Sequence, residues 1–155
     1  MIEQTIRRGS GAATALGALS VILAATFLFG ALLHLGVRVP LGFAVLAEPR
    51  IIPATVVEGL CGLALSVAAF AALARRGWAR PAAIAAHAFA LGGVLLGVAA
   101  LAVGAGPSTE LNTVYHRVML VALAAVLVFL LTPAGRAALP GTNRTPRRET
   151  AGQGE

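Results

Sequence analysis

The sequence predicts an all-α fold: an integral membrane four-helix bundle with both N- and C-termini cytoplasmic. Three observations predict it. The chain is 58% hydrophobic over 155 residues, where an ordinary soluble domain is about 45–50% apolar, and its mean hydropathy is +0.87. Its apolar residues gather into four stretches, each long enough to cross a hydrocarbon layer about 30 Å thick at about 1.5 Å rise per residue. Nearly all its arginines then fall on one side of the resulting layout.

The first span is read over about 13–36. It follows Arg7 and Arg8, as a secretory signal would. Its apolar run exceeds a signal core of about 7–15 residues, so it reads as a retained helix. The link from Val37 to Arg50 has an apolar middle, Leu41 to Leu46. That segment is too short to span, and suits a place in the interface or folded over the bundle mouth. The second span covers about 51–74 and the third about 81–104. Pro81 fits a first helical turn, where its missing N–H costs nothing, and Trp78 beside it suits an interface. Gly106, Pro107, Ser108 and Thr109 separate the third span from the fourth, about 110–132. Ser108 or Thr109 can cap that helix, and Glu110 in its first turn complements the dipole. Pro133 marks its end. Residues 1–133 thus form the bundle, and 134–155, rich in Gly, Pro, Thr and Arg, read as a disordered cytoplasmic tail. No internal repeat is present.

The twelve basic residues are all arginine. Nine lie at the N-terminus, in the link between the second and third spans, and in the tail; Arg38, Arg50 and Arg117 lie opposite. The positive-inside rule places both termini and the middle link in the cytoplasm, in a multi-pass protein of the cell (cytoplasmic) membrane. The same rule accounts for the net charge of +6 without a nucleic-acid partner. The sole cysteine, Cys61, can form neither an intrachain disulfide nor a Cys-based metal site, and reads as a small apolar filler. No metal site is expected.

Lipid tails are as apolar as leucine, so close backbone approach through small residues drives such helices together. Gly93 and Gly97 form a GxxxG face, with Gly104 on nearly the same stripe, and Gly59, Gly62, Gly17 and Gly30 serve other helices. Packing within the monomer is the first reading of that face. A homodimer or a larger membrane complex is the second, alongside the lipid bilayer itself.

The polar residues inside the spans carry the functional signal. Glu58 sits about 10 Å below the outer end of the second helix. A carboxylate at mid-membrane costs roughly 2.5–3.5 kcal/mol on insertion scales, so such residues face the bundle interior and mark sites. In the fourth helix Asn112 and His116, four apart, share a face with Tyr115 and Met119 flanking it. His116 lies about 9 Å down, close to the depth of Glu58. Arg117, one position on, points about 100° away, and either snorkels outward or turns inward to Glu58. A Glu58–His116 or Glu58–Arg117 contact is expected. With His34 at the end of the first helix, these residues (His34, Glu58, Asn112, Tyr115, His116 and Arg117) predict an outward-facing polar pocket. His87 lies near the cytoplasmic end of the third helix. A helix–helix hydrogen bond is its expected role, with proton relay the alternative.

The run Pro53-Ala-Thr-Val-Val-Glu58-Gly59-Leu-Cys-Gly62-Leu-Ala-Leu, followed by a basic turn ending Arg80-Pro81-Ala-Ala, resembles the DoxX-like group of small four-helix membrane proteins. The resemblance covers residues 52–90. It implies a four-helix membrane bundle with a glutamate early in its second helix, and a link, in some members, to quinone-coupled sulfur oxidation.

No Gly-rich phosphate loop, CxxC, HExxH or GxSxG element is present, so no hydrolase or nucleotide-dependent chemistry is signalled and a non-enzymatic role is favoured. A binding or transport-type module centred on Glu58 is the leading expectation. The alternatives are a redox-associated subunit, holding a quinone or a haem between His34 and His116, and an accessory subunit of a larger complex. No cofactor is required by the leading reading.

Overall fold

The computed structural model describes residues 2–107 and 109–139. The chain folds into helices α1 (Ile2–Leu35), α2 (Ile52–Leu73), α3 (Ala79–Ala102) and α4 (Glu110–Leu131), a short α5 (Pro133–Ala138), and a hairpin of β1 (Val39–Pro40) and β2 (Val45–Leu46). Four helices are long and apolar enough to cross a membrane: Gly11–Leu35 within α1, and the whole of α2, α3 and α4. They suggest a multi-pass membrane protein.

Helix ends follow backbone capping rules. Gly36, at φ 106°, closes α1 through hydrogen bonds from the Gly36 and Val37 N–H groups to the carbonyls of Leu33 and Leu32, the Schellman arrangement. Gly104, at φ 69°, closes α3 in the same way. It lies past the last helical residue, off the Gly93/Gly97 stripe on which the glycine spacing placed it. The end of α2 uses Arg75, at φ 51°, in the corresponding left-handed position. At α4 the Thr109 hydroxyl accepts the Asn112 N–H at 3.0 Å, as expected of an N-cap; Ser108 lies outside the described residues.

Consecutive helices pack on one another: α1 on α2, α2 on α3, α3 on α4. α1 and α4 meet far less, and α5 touches both. Small residues make the close approaches. A side chain on Gly62 would meet Leu28 and the Ala24 carbonyl, one on Gly17 would meet Leu73, and one on Gly93 would meet Cys61 Sγ. The Gly93/Gly97 face is therefore used within the protomer. The buried core runs through Phe27, Leu65, Val94, Leu123 and Leu130. Large apolar side chains such as Ile22, Leu63, Phe70, Leu95 and Val121 stay exposed on the outside, a surface suited to an apolar surrounding.

The long link has a fold of its own, and the expected start of the tail changes. The long link is a small antiparallel hairpin, pairing Val39 with Leu46 and Pro40 with Val45, with Gly42 at φ 84° in its turn and Phe43 exposed at its tip. The unstructured tail does not begin at Ala134. Thr132 caps α5 by accepting the Gly135 N–H at 3.1 Å, Pro133 takes its first turn, and Ala138 and Leu139 are buried. Residues 140–155 lie outside the described residues.

Candidate functional site

The hairpin end of the bundle collects the polar side chains that the helix interiors carry. Glu58 stands in the second turn of α2 and is 6% exposed. α1 gives it room: a Cβ on Gly30 would lie 2.6 Å from its Oε2, so a side chain there would push the carboxylate aside. Its Oε1 lies 3.9 Å from His34 Nε2, and its Oε2 is buried with no hydrogen-bond partner. The carboxylate thus turns to α1. The Glu58–His116 and Glu58–Arg117 contacts expected from helical spacing are replaced by this Glu58–His34 pair.

His34 is buried in the last turn of α1. Its Nδ1–H donates to the Pro49 carbonyl at 3.1 Å, and its own carbonyl accepts the Ile51 N–H at 3.0 Å. The link after the hairpin is thereby pinned to α1, and Nε2 is left facing Glu58. His116 is arranged alike. Its Nδ1–H donates to the Asn112 carbonyl one turn earlier at 2.8 Å, and its Nε2 rests against Gly97 of α3. Asn112 is buried beside it. The Tyr115 ring meets Phe27 and His116 edge-on, at centroid distances of 6.2 Å and 5.4 Å, and its hydroxyl has no partner.

Two cavities meet here. The larger, about 390 Å³, lies between α2, α3 and α4; Val57, Leu96, Ala100 and Leu101 form apolar walls, and His34, Glu58, Asn112 and His116 its polar end. The smaller, about 100 Å³, fills the seam between α1 and α4 under the hairpin, and Tyr115 and Glu48 line it. His34, Glu58 and Asn112 line both.

Of the expected pocket residues, His34, Glu58, Asn112, Tyr115 and His116 are brought together. Arg117 is not: it is exposed on the far side of α4, because a one-residue step turns a helix by about 100°. His87 is fully buried in the core and lines neither cavity. Its Nδ1–H donates to Ala83 of its own helix at 2.8 Å rather than to another helix, and its Nε2 has no partner. Cys61 is buried against Gly93.

Glu48 escapes pattern reading. The Thr109 hydroxyl lies 2.8 and 2.9 Å from its two carboxylate oxygens and donates to the carboxylate, tying the link after β2 to the start of α4. No periodicity marks a loop residue, and the partners are 61 positions apart. The Pro49-Arg50-Ile51 run beside it gives no further signal.

Among the described residues no group of three or more His, Cys, Asp or Glu side chains is placed to hold a metal ion. His34 and Glu58 line both cavities and His116 the larger one; Glu58 Oε2 itself is closed off against Gly30. No family model, curated protein or solved structure matches the chain.

Proposed function

We propose that this protein is a binding module of transport type in the cytoplasmic membrane, and that its larger cavity takes a small amphiphile with an apolar body and a hydrogen-bond-donating, cationic head. The hairpin end faces the extracytoplasmic side and both termini face the cytoplasm; the arginine distribution supports that orientation. The observation that carries the reading is the cavity of about 390 Å³, apolar along most of its walls and lined at one end by Glu58. A carboxylate in such surroundings is costly, and a ligand ammonium group offsets that cost. The likeness of residues 52–90 to DoxX-like proteins is consistent with a four-helix scaffold built around that glutamate.

A quinol-binding redox subunit is the second reading. The same polar end favours it, since two hydroxyl groups would find two imidazole rings and a carboxylate.

The test is binding of dansylcadaverine, a fluorescent primary amine, to protein in lipid nanodiscs. Saturable binding is expected, and Glu58→Gln is expected to weaken it about tenfold or more, a loss of at least about 1.4 kcal/mol. Equal binding by the wild type and the variant overturns the cationic-head reading. Displacement of the dye by a short-chain quinol and not by alkylamines selects the redox reading.

A further inference from the structure

The larger cavity is not enclosed on every side. Its polar residues, His34, Glu58, Asn112 and His116, are at most 9% exposed, whereas Leu96 on its α3 side is 61% exposed. Pro53 of α2 also lines it and is exposed. One space therefore runs from the outer surface of the bundle to its interior. The helices account for the gap. α2 and α3 touch closely at Gly93, where an added Cβ would meet Cys61 Sγ at 2.8 Å and Val57 Cγ1 at 3.1 Å. One turn nearer the hairpin end, the atoms nearest an added Cβ on Gly97 all belong to His116 of α4, and none to α2. Beyond Gly93 the cavity is lined by Pro53, Ala54 and Val57 of α2 and by Leu96, Ala100 and Leu101 of α3. α4 contributes only buried residues to it, so the open side lies between α2 and α3. At the hairpin end the links close in. The Ile51 N–H is bonded to the His34 carbonyl at 3.0 Å, and Ile51 Cδ1 would lie 3.9 Å from a Cβ on Gly106. Leu96 stands six residues before the end of α3, about 9 Å inside an apolar span. Val56, Leu60 and Leu95 beside the opening are exposed apolar side chains.

We propose that this cavity opens sideways into the hydrocarbon between α2 and α3 and takes its ligand from the leaflet on the hairpin side: a single-chain primary amine whose head reaches the buried polar end while its tail trails between the two helices into the bilayer. Three features select that occupant. Among the described residues the lining holds no arginine to match a phosphate, and the Glu58 carboxylate matches an ammonium group. The wall between the opening and the polar end is aliphatic or glycine, which suits an alkyl chain. The volume of about 390 Å³ is near the lower end of the range for small-molecule sites, about 300–1,000 Å³. That is room for a small head and part of one chain, and not for a two-chain phospholipid. The amine head rests on the proposed function; the side opening stands on the cavity alone.

Tryptophan fluorescence in vesicles of lipid brominated on its acyl chains tests the opening, since bromine quenches an indole that it touches. Trp78, the sole tryptophan, is removed as Trp78→Phe, and the full chain then carries one reporter. Leu96→Trp and Pro53→Trp stand on the two lips of the opening, and Val118→Trp stands on the exposed face of α4 as the control. Brominated chains are expected to quench all three. Hexadecylamine is expected to abolish most of the quenching at the two lips and to leave Val118→Trp unchanged. Displacement of dansylcadaverine by a series from butylamine to hexadecylamine, compared at equal mole fraction in the bilayer, gives the second reading. The longest chains are expected to displace the dye as well as the short ones, because their tails stay in the hydrocarbon. Lip reporters quenched by aqueous iodide and not by brominated chains overturn the side opening, as does a sharp loss of displacement at the longer chains. Quenching at the lips that hexadecylamine leaves unchanged in protein that binds the dye overturns the route for the tail. Relief of quenching by hexadecanol as strong as by hexadecylamine removes only the amine reading and leaves the opening in place.

Discussion

Gly30 and Gly97 show how single residues fix the site. Each stands where a side chain would meet a functional group, Glu58 Oε2 for one and His116 Nε2 for the other. Gly97→Ala is expected to destabilise the protein by about 1–3 kcal/mol, the usual cost of overpacking, and to weaken dye binding. Gly59, with nothing within 4 Å of its added Cβ, is the control: Gly59→Ala is expected to be neutral or to gain up to about 1 kcal/mol of helix propensity. Thermal unfolding in detergent separates the two. His87 makes the opposite case. Its Nε2 is orphaned in a fully buried ring, so His87→Leu is expected to hold or raise the unfolding temperature, because an unpaired buried polar atom is removed; a sharp fall would mean that Nε2 has a partner. At this scale much is legible in the sequence. The cost of charge in hydrocarbon singles out Glu58, and i,i+4 spacing joins Asn112 to His116. The choice of His34 over His116 as the partner of Glu58 is not legible. It depends on where Gly30 lets α1 approach α2, and a string of residues holds no interhelical distance.

Elements are legible where periodicity or length governs them, and less so where capping does. Membrane thickness sets the length of a span, so α2, α3 and α4 lie within two residues of the expected stretches. α1 begins well before its expected span, since a helix continues through its polar N-terminal residues once nucleated. Pro133 reads as a stop in the sequence. It is also a start, because Thr132 before it is an N-cap and proline suits the first helical position; both functions share one dipeptide. The link after β2 depends on Glu48, which no pattern marks. Thr109 both caps α4 and holds Glu48, so Thr109→Val is expected to cost about 1–2 kcal/mol and to speed hydrogen exchange from residue 41 to residue 51. Faster exchange at α4 alone would mean that the Glu48 contact does not hold the link.

For the whole molecule, the arrangement follows the chain: each helix packs on the next, and α1 and α4 meet far less than consecutive helices do. Such a bundle has one weak boundary, sealed at the hairpin end by the Glu48–Thr109 contact and at the other by α5. The α1–α4 boundary is therefore expected to open before the α1–α2 boundary, and amide exchange in lipid nanodiscs checks it: α4 should lose protection ahead of α2. Composition alone indicates four helices long and apolar enough to cross a membrane, but it carries no information on which pair leaves a seam, since every span is rich in alanine and leucine.

The turn between α2 and α3 lies, in the proposed orientation, on the arginine-rich face. The residue at its left-handed position, φ 51°, is Arg75, where glycine is the comfortable choice. In that proposed orientation, the conformational penalty keeps a cation at a place that the insertion machinery reads. Arg75→Gly should therefore make a firmer protein by roughly 1 kcal/mol while weakening the signal for its handedness in the bilayer: easier folding, set against less certain topology.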